Sequence, residues 1–125
     1  KNHQGICPEG WHIPTITEWY DLFDYAGKDR KKLYAKTGWT YENNSNHTNG
    51  TDELGFTLLP VGYRSSYDVQ HGNSWESWSI TMFWTANEDA SDATKAKQVH
   101  IDYSDIYDSG VQGKDARLSI RCVKN

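Results

Sequence analysis

The stretch CPEGWHIPTITEW, residues 7–19, marks the start of a helix that the following residues continue. Thr15 and Glu18 have the T-x-x-E spacing of a capping box, in which each side chain accepts a hydrogen bond from a backbone amide at the helix start. Gly27 is a typical helix end. Apolar residues between them recur with the 3.6-residue period of one helix face, at Ile16, Trp19, Tyr20, Phe23 and Ala26. The pattern therefore predicts a helix over 16–26.

A second, shorter helix is predicted directly after the first. Asp29 can cap a helix over about 30–37, which Leu33 would anchor in the core and Gly38 would end. These two helices come before any segment with the pattern of a strand.

Strands and long loops are predicted for the remainder of the chain. Alternating or clustered apolar residues predict strands over 80–87, 96–104 and 117–125, with DSGVQGKD (108–115) as the hairpin turn between the last two. GFTLLPVGYR (55–64) predicts a short strand and a turn, and the polar segments 40–53 and 65–79 predict surface loops. Helices followed by strands predict an α+β fold with small antiparallel sheets and long loops.

Length and charge restrict the class of protein. The 125 residues suit a single domain, 1–125, and the absence of an initial Met or leader predicts a mature protein or a module of a larger secreted protein. No apolar run approaches the roughly 20 residues of a membrane helix. The net charge is −4, with acids and bases spread along the chain. We therefore expect no membrane span and no nucleic-acid partner.

The two cysteines, Cys7 and Cys122, lie near opposite ends of the chain. A single pair without C-x-x-C spacing cannot build a four-cysteine zinc site. A disulfide between them is the favoured interpretation, and a reactive thiol is the alternative. A disulfide would imply an oxidising compartment, either extracellular or at a bacterial cell surface.

Several sequence blocks together resemble one protein family. The blocks are CPEGWHIPTITEW, KTGW, NGTDELGFTLLPVGYR, FWTANE and SIRCVK, in this order from Cys7 to Lys124. The chain resembles the Fibrobacter succinogenes major paralogous domain (FISUMP) family and, more distantly, the formylglycine-generating-enzyme branch of C-type-lectin-like folds. The resemblance implies a C-type-lectin-like domain with its termini paired in one small sheet and long loops on the opposite side. It also implies a secreted or surface-anchored bacterial protein.

Catalysis is not expected. The five histidines are scattered, and the sequence holds no H-E-x-x-H, G-x-S-x-G or phosphate-binding loop. The resemblance assigns both cysteines to framework motifs and leaves no thiol for chemistry. Asp102 and Asp105 could serve a glycosidase in principle, but solvated carboxylates are more common in such a segment.

No cofactor is expected, although calcium is an alternative to consider. The segment NEDASD offers oxygen ligands of the kind that calcium prefers, from Asn87, Glu88, Asp89 and Asp92. It lacks the spacing of an EF-hand and the E-P-N or W-N-D signatures of calcium-dependent sugar binding. A polar turn between two strands explains the segment equally well.

The six tryptophans fall into two groups. Trp11, Trp19, Trp39 and Trp84 are expected in the core. Trp75 and Trp78 lie in a polar loop without apolar periodicity, so at least one is expected to face solvent.

The segment 63–78 is the predicted binding surface. Exposed aromatic rings stack on the C–H faces of sugars, and neighbouring polar side chains can bind the hydroxyl groups. The predicted site residues are Tyr63, Arg64, Tyr67, Asn73, Trp75, Glu76 and Trp78. We expect a non-catalytic extracellular module that binds a polysaccharide or surface glycan, with plant cell-wall polysaccharide as the favoured ligand. A protein-binding adhesin is the alternative, because Trp, Tyr and Arg also dominate protein-binding hot spots.

Overall fold

The computed structural model describes residues 4–39, 49–72, 79–104 and 106–125. Helix α1 spans Ile16–Ala26, as predicted. Thr15 Oγ1 accepts a hydrogen bond from the amide of Glu18, and the Glu18 carboxylate accepts one from the amide of Thr15, which completes the capping box. The helix ends at Gly27, whose φ of 76° suits glycine.

The main sheet has three antiparallel strands in chain order: β2 (Ile80–Glu88), β3 (Lys95–Asp102) and β4 (Ile106–Gly113). Phe83 pairs with Val99, and Ile101 pairs with Ile106. Since these side chains are buried, one face of the sheet packs on the core. The predictions of β2 and β3 are confirmed to within two residues at each end.

The two ends of the chain meet in a second, two-stranded sheet. Strand β1 (Trp11–His12) pairs antiparallel with β5 (Val123–Lys124). Cys7 and Cys122 form a disulfide beside this pairing, with their Cα atoms 5.9 Å apart. The predicted disulfide and the pairing of the termini are both confirmed.

The hydrophobic core lies between α1, the main sheet and the segment 33–39. Trp39 is completely buried, and its indole N–H donates to the carbonyl of Leu58 at 2.8 Å. Trp19 packs against three aromatic rings, with centroid distances of 5.1 to 6.2 Å, from Phe23, Phe56 and Phe83. The core positions predicted for Trp19 and Trp39 are confirmed.

Two other tryptophans differ from the prediction. Trp11 is 39% exposed and does not belong to the core. Adjacent side chains of a strand face opposite ways, and His12 takes the buried position in β1. Trp84 is half-buried and lines a small cavity of about 160 Å³ with Ile13 and Ile120.

The second predicted helix is shorter than expected. Only Arg30–Lys32 forms a helical turn, of the 3₁₀ type, although Asp29 caps it as predicted by accepting from the amide of Lys31. The chain then leaves the helix because Ala35 donates its amide to the carbonyl of Leu58, and Leu58 donates to Leu33. Pairing with a distant segment thus replaces further helical turns.

The predictions for the last third and for segment 55–64 were partly wrong. Residues 108–113, predicted as a turn, belong to β4, and residues 117–125 form only β5 and isolated bridges, from Arg117 to Arg64 and from Ser119 to Phe83. Segment 55–64 likewise makes only isolated bridges. A helix not predicted, α2, spans Ser66–His71. Within the described ranges, no helix is long and apolar enough to cross a membrane.

Candidate functional site

The predicted binding surface is described in part. Asn73, Trp75, Glu76 and Trp78 lie outside the described residues. Tyr63, Arg64 and Tyr67 are described, and α2 and the segment before it carry them.

Helix α2 holds Tyr67 at the surface. Ser65 caps the helix by accepting from the amide of Asp68, and the Asp68 carboxylate accepts from the amide and hydroxyl of Ser65. Gly72 ends the helix in the left-handed conformation, with φ of 72°. The S-x-x-D spacing followed by glycine is a variant of the capping box, and it is the sequence signal that could have predicted this helix.

The ring of Tyr67 is 64% exposed and stacks on the imidazole of His71. The two centroids are 4.0 Å apart and the planes differ by 23°. His71 Nδ1 lies 2.8 Å from the carbonyl oxygen of Tyr67, so this nitrogen carries the proton and donates it. The stack and the hydrogen bond orient both rings, which leaves a pre-oriented aromatic surface.

Arg64 and Tyr63 are half-buried next to this helix. The Arg64 guanidinium is 3.4 Å from the carbonyl of Asp68, and its Nε is buried without an acceptor in the described part of the chain. The backbone of Arg64 pairs with Arg117 in both directions, at 2.9 and 2.8 Å. The guanidinium is therefore tied to a fixed point of the fold, and within the described residues it has more donors than acceptors to receive them.

Helix α2 contacts the end of β4 and the turn that follows it. Ser66 donates to the carbonyl of Gly113 at 3.3 Å, and Gln70 donates to the carboxylate of Asp115 at 3.4 Å. Hydrogen bonding to Ser66 and then to Gln70 lowers the pKa of Asp115. These contacts hold a six-residue helix that would be marginal in isolation.

A second candidate site is a cleft of about 350 Å³ between α1 and the C-terminal segment. Trp19, Leu22 and Phe56 form much of its apolar lining, and its polar residues are Glu18, Asp21 and Arg121. We call it the α1 cleft. The prediction from sequence did not include it, because its residues come from three separate parts of the chain.

A hydrogen-bonded network supports one wall of the α1 cleft. His12 is buried, with Nε2 at 2.8 Å from Glu18 Oε1 and Nδ1 at 2.6 Å from Asn125 Oδ1. Hydrogen bonding to Glu18 and then to Asn125 raises the pKa of His12. Burial alone would raise the pKa of Glu18, but the hydrogen bonds from Thr15 and His12 outweigh it and lower that pKa.

The carboxylates considered for calcium hold a turn between β2 and β3. Asp89 accepts from the amide and hydroxyl of Ser91, and Asp92 accepts from the amide and hydroxyl of Thr94. The bonds from Thr94, followed by Lys95, lower the pKa of Asp92 to about 2. In the described ranges, no group of three or more His, Cys, Asp or Glu residues is arranged to hold a metal ion.

The carboxylates considered for glycoside hydrolysis are described only in part. Asp105 lies outside the described residues. Asp102 accepts hydrogen bonds from Tyr107 at 2.5 Å and from the amide and hydroxyl of Ser104. Tyr107 in turn stacks on His100, with centroids 4.6 Å apart. Asp102 thus stabilises the β3–β4 connection.

Comparison with known families covers the whole framework, from the capped α1 to the paired termini. The sequence model of one family, the Fibrobacter succinogenes major domain, matches residues 1–124. The chain belongs to this family. No curated protein and no solved structure matches the chain. The resemblance to the FISUMP family, inferred from the sequence blocks, is confirmed by this family match. The framework of the domain includes the disulfide of Cys7 and Cys122.

Proposed function

We propose that this domain is a non-catalytic extracellular module that binds carbohydrate, with plant cell-wall polysaccharide as the favoured ligand. The observation that carries the proposal is the exposed ring of Tyr67, which His71 holds in a fixed orientation at the end of segment 63–72. Trp75 and Trp78 follow within seven residues of the end of α2 in the sequence. The proposed surface thus extends along the chain from Tyr63 to Trp78.

The chemistry of this surface suits a sugar better than an apolar ligand. A flat ring can stack against the C–H face of a pyranose, while guanidinium, amide and carboxylate groups exchange hydrogen bonds with hydroxyls. Arg64 and Gln70 supply such groups close to Tyr67. Because His71 already stacks on one face of Tyr67, the opposite face is the one proposed to receive the sugar.

The proposed location is extracellular or on a bacterial cell surface. The disulfide between Cys7 and Cys122 supports this, since such bonds persist in oxidising compartments. We also propose that the scaffold is C-type-lectin-like. The paired termini, the capped α1 and the small sheets with long connections support this assignment.

Sedimentation with insoluble glucan, xylan and mannan tests the proposal. The wild-type domain is expected to bind at least one of them. The triple variant Tyr67→Ala, Trp75→Ala, Trp78→Ala should lose at least about tenfold in affinity, because each aromatic contact contributes about 0.5–1.5 kcal/mol. Tyr25→Ala is the matched control, since Tyr25 is 77% exposed on a different helix. If the triple variant binds as tightly as the wild type, the proposal that this surface binds the polysaccharide is wrong.

Calcium and the alternative function are tested in the same assay. Binding that persists in EDTA is expected, because the proposed contacts need no cofactor. The alternative is a protein-binding adhesin, which the exposed Tyr67 and the neighbouring Arg64 would also suit. Retention on a protein partner with no depletion by any glycan would favour the adhesin and contradict the carbohydrate proposal.

A further inference from the structure

The α1 cleft has the size and lining of a small-molecule site. Its volume of about 350 Å³ lies at the lower end of the range for ligand pockets, roughly 300–1,000 Å³. An apolar cavity of about 150 Å³ is enough to bind benzene. The α1 cleft can therefore hold a ligand with one or two six-membered rings.

The apolar wall is rigid because it belongs to the core. Trp19 is 3% exposed and packs edge-to-face on Phe56, with centroids 6.2 Å apart. Leu22 lies one helical turn after Glu18 on the same side of α1. On the C-terminal side, the disulfide of Cys122 and the β1–β5 pairing hold the segment that carries Arg121 and Val123.

The three charged side chains that line the α1 cleft differ in their surroundings. Both oxygens of the Glu18 carboxylate accept hydrogen bonds, from His12 and from Thr15, and His12 offsets the charge when it is protonated. Asp21 is exposed and belongs to the lining of the α1 cleft. Arg121 is the cationic member, and it comes from the C-terminal segment rather than from α1.

A cation–π contact with an aromatic ring holds Arg121 in place. Its guanidinium lies over the ring of Phe56, 4.1 Å from the centroid. Among the described residues it forms no ion pair within 4 Å and no side-chain hydrogen bond. Its charge contributes to lowering the pKa of Asp52, after the larger effects of hydrogen bonds from Thr57 and the attraction of Lys36. The guanidinium fork, which matches a carboxylate in shape, remains available.

We propose that the α1 cleft binds a small organic carboxylate with an apolar, ring-sized body. The ring occupies the space beside Trp19, Leu22 and Phe56, and the carboxylate pairs with Arg121. Asp21 can accept a hydrogen bond from a hydroxyl group on the same ligand, so a hydroxylated aromatic acid fits better than an unsubstituted one. This site is separate from the proposed polysaccharide surface and does not depend on it.

Titrations followed by ¹⁵N NMR test the proposal with three probes of similar size: benzoate, benzyl alcohol and benzylamine, at matched ionic strength. Benzoate should shift the resonances of Trp19, Leu22, Phe56 and Val123. It should bind about fivefold more tightly than benzyl alcohol, the ratio expected when an ion pair contributes about 1 kcal/mol. 4-Hydroxybenzoate should bind at least as tightly as benzoate.

Two variants separate the charge from the cavity. Arg121→Gln should remove the preference for benzoate over benzyl alcohol, whereas Leu22→Trp should fill the space and abolish the binding of both. Arg117→Gln is the matched control, because Arg117 is an exposed arginine of the same segment that does not line the α1 cleft. Dispersed amide spectra confirm that each variant is folded.

Three results would overturn the proposal. One is the absence of localised shifts with every probe, and another is tighter binding of benzylamine than of benzoate. The third is an Arg121→Gln variant that keeps the full preference for benzoate.

Discussion

Buried His12 in β1 bridges Glu18 in the first turn of α1 and Asn125 beyond β5. Both of its ring nitrogens face oxygen atoms, at 2.8 Å and 2.6 Å. Two facing acceptors favour the doubly protonated imidazolium, which donates from both nitrogens. One side chain thus links the capped start of the helix to the paired termini, and its protonation state couples that link to pH.

The stability that this pair contributes should depend on pH at both ends of a window. Because folding raises the pKa of His12, the His12 contribution is present below about pH 6.5 and is lost as pH rises through the folded-state value. Because folding lowers the pKa of Glu18, the Glu18 contribution is present above about pH 4.5 and is lost as pH falls through the folded-state value. Urea unfolding at pH 5.5 and 8.5 should show that the wild type loses more stability at pH 8.5 than His12→Gln does.

A second histidine affects this comparison, so the difference between variants is the quantity to measure. Burial lowers the pKa of His100, which gives the opposite pH dependence, since its contribution is lost on acidification. His71→Gln serves as the control because His71 is exposed on α2. An equal change of stability with pH in the wild type and in His12→Gln would contradict the role of His12.

Removing the helix cap should destabilise the domain. Thr15→Ala leaves the amide of Glu18 without its side-chain acceptor and is expected to lower the free energy of unfolding by about 1 kcal/mol. Thr37→Ala, at an exposed threonine outside any helix, should change it by less than about 0.5 kcal/mol. Thermal or urea unfolding followed by circular dichroism measures both, and equal effects of the two variants would argue against the cap.

The disulfide should contribute more than any single hydrogen bond. Cys7 and Cys122 are 115 residues apart, so in the entropic model their bond disfavours the unfolded chain by about 4–5 kcal/mol. The double variant Cys7→Ser, Cys122→Ser should unfold at much lower urea concentration than the oxidised wild type. Adding a reductant should lower the stability of the wild type to that of the double variant and leave the double variant unchanged. A wild type insensitive to reductant would contradict this.

The most and the least buried of the described tryptophans should respond very differently to truncation. Trp39→Ala removes a completely buried ring together with its hydrogen bond to Leu58, and is expected to cost about 3–5 kcal/mol. Trp11→Ala, at a position that is 39% exposed, should cost about 1 kcal/mol. Chemical unfolding of both variants measures the difference. Comparable losses of stability would contradict the expectation that the buried ring contributes more than the exposed one.

Local sequence patterns were reliable where the interactions that define an element lie within it. The capping box and the apolar period of α1 are contained in 15–27, and the apolar residues of β2 and β3 lie in segments without glycine or proline. Local patterns were less reliable for the predicted site, where helix α2 was not predicted. The S-x-x-D cap of α2 was present in the sequence, but a six-residue helix also needs the contacts of Ser66 and Gln70 with the turn after β4.

By itself, the sequence determined α1, the two long strands, the disulfide partners and the family. The residues that determine α1 and the strands are close in the chain, the cysteines are the only pair available, and the family is carried by short blocks in a fixed order. Tertiary structure alone decided that the glycine-containing segment 106–113 is a strand, since the partners of its backbone hydrogen bonds lie on β3. It also decided which side of β1 is buried, and it assembled the α1 cleft from α1, Phe56 and Arg121. These features are stabilised by contacts between residues that are distant in the chain, so no short stretch of sequence could have predicted them.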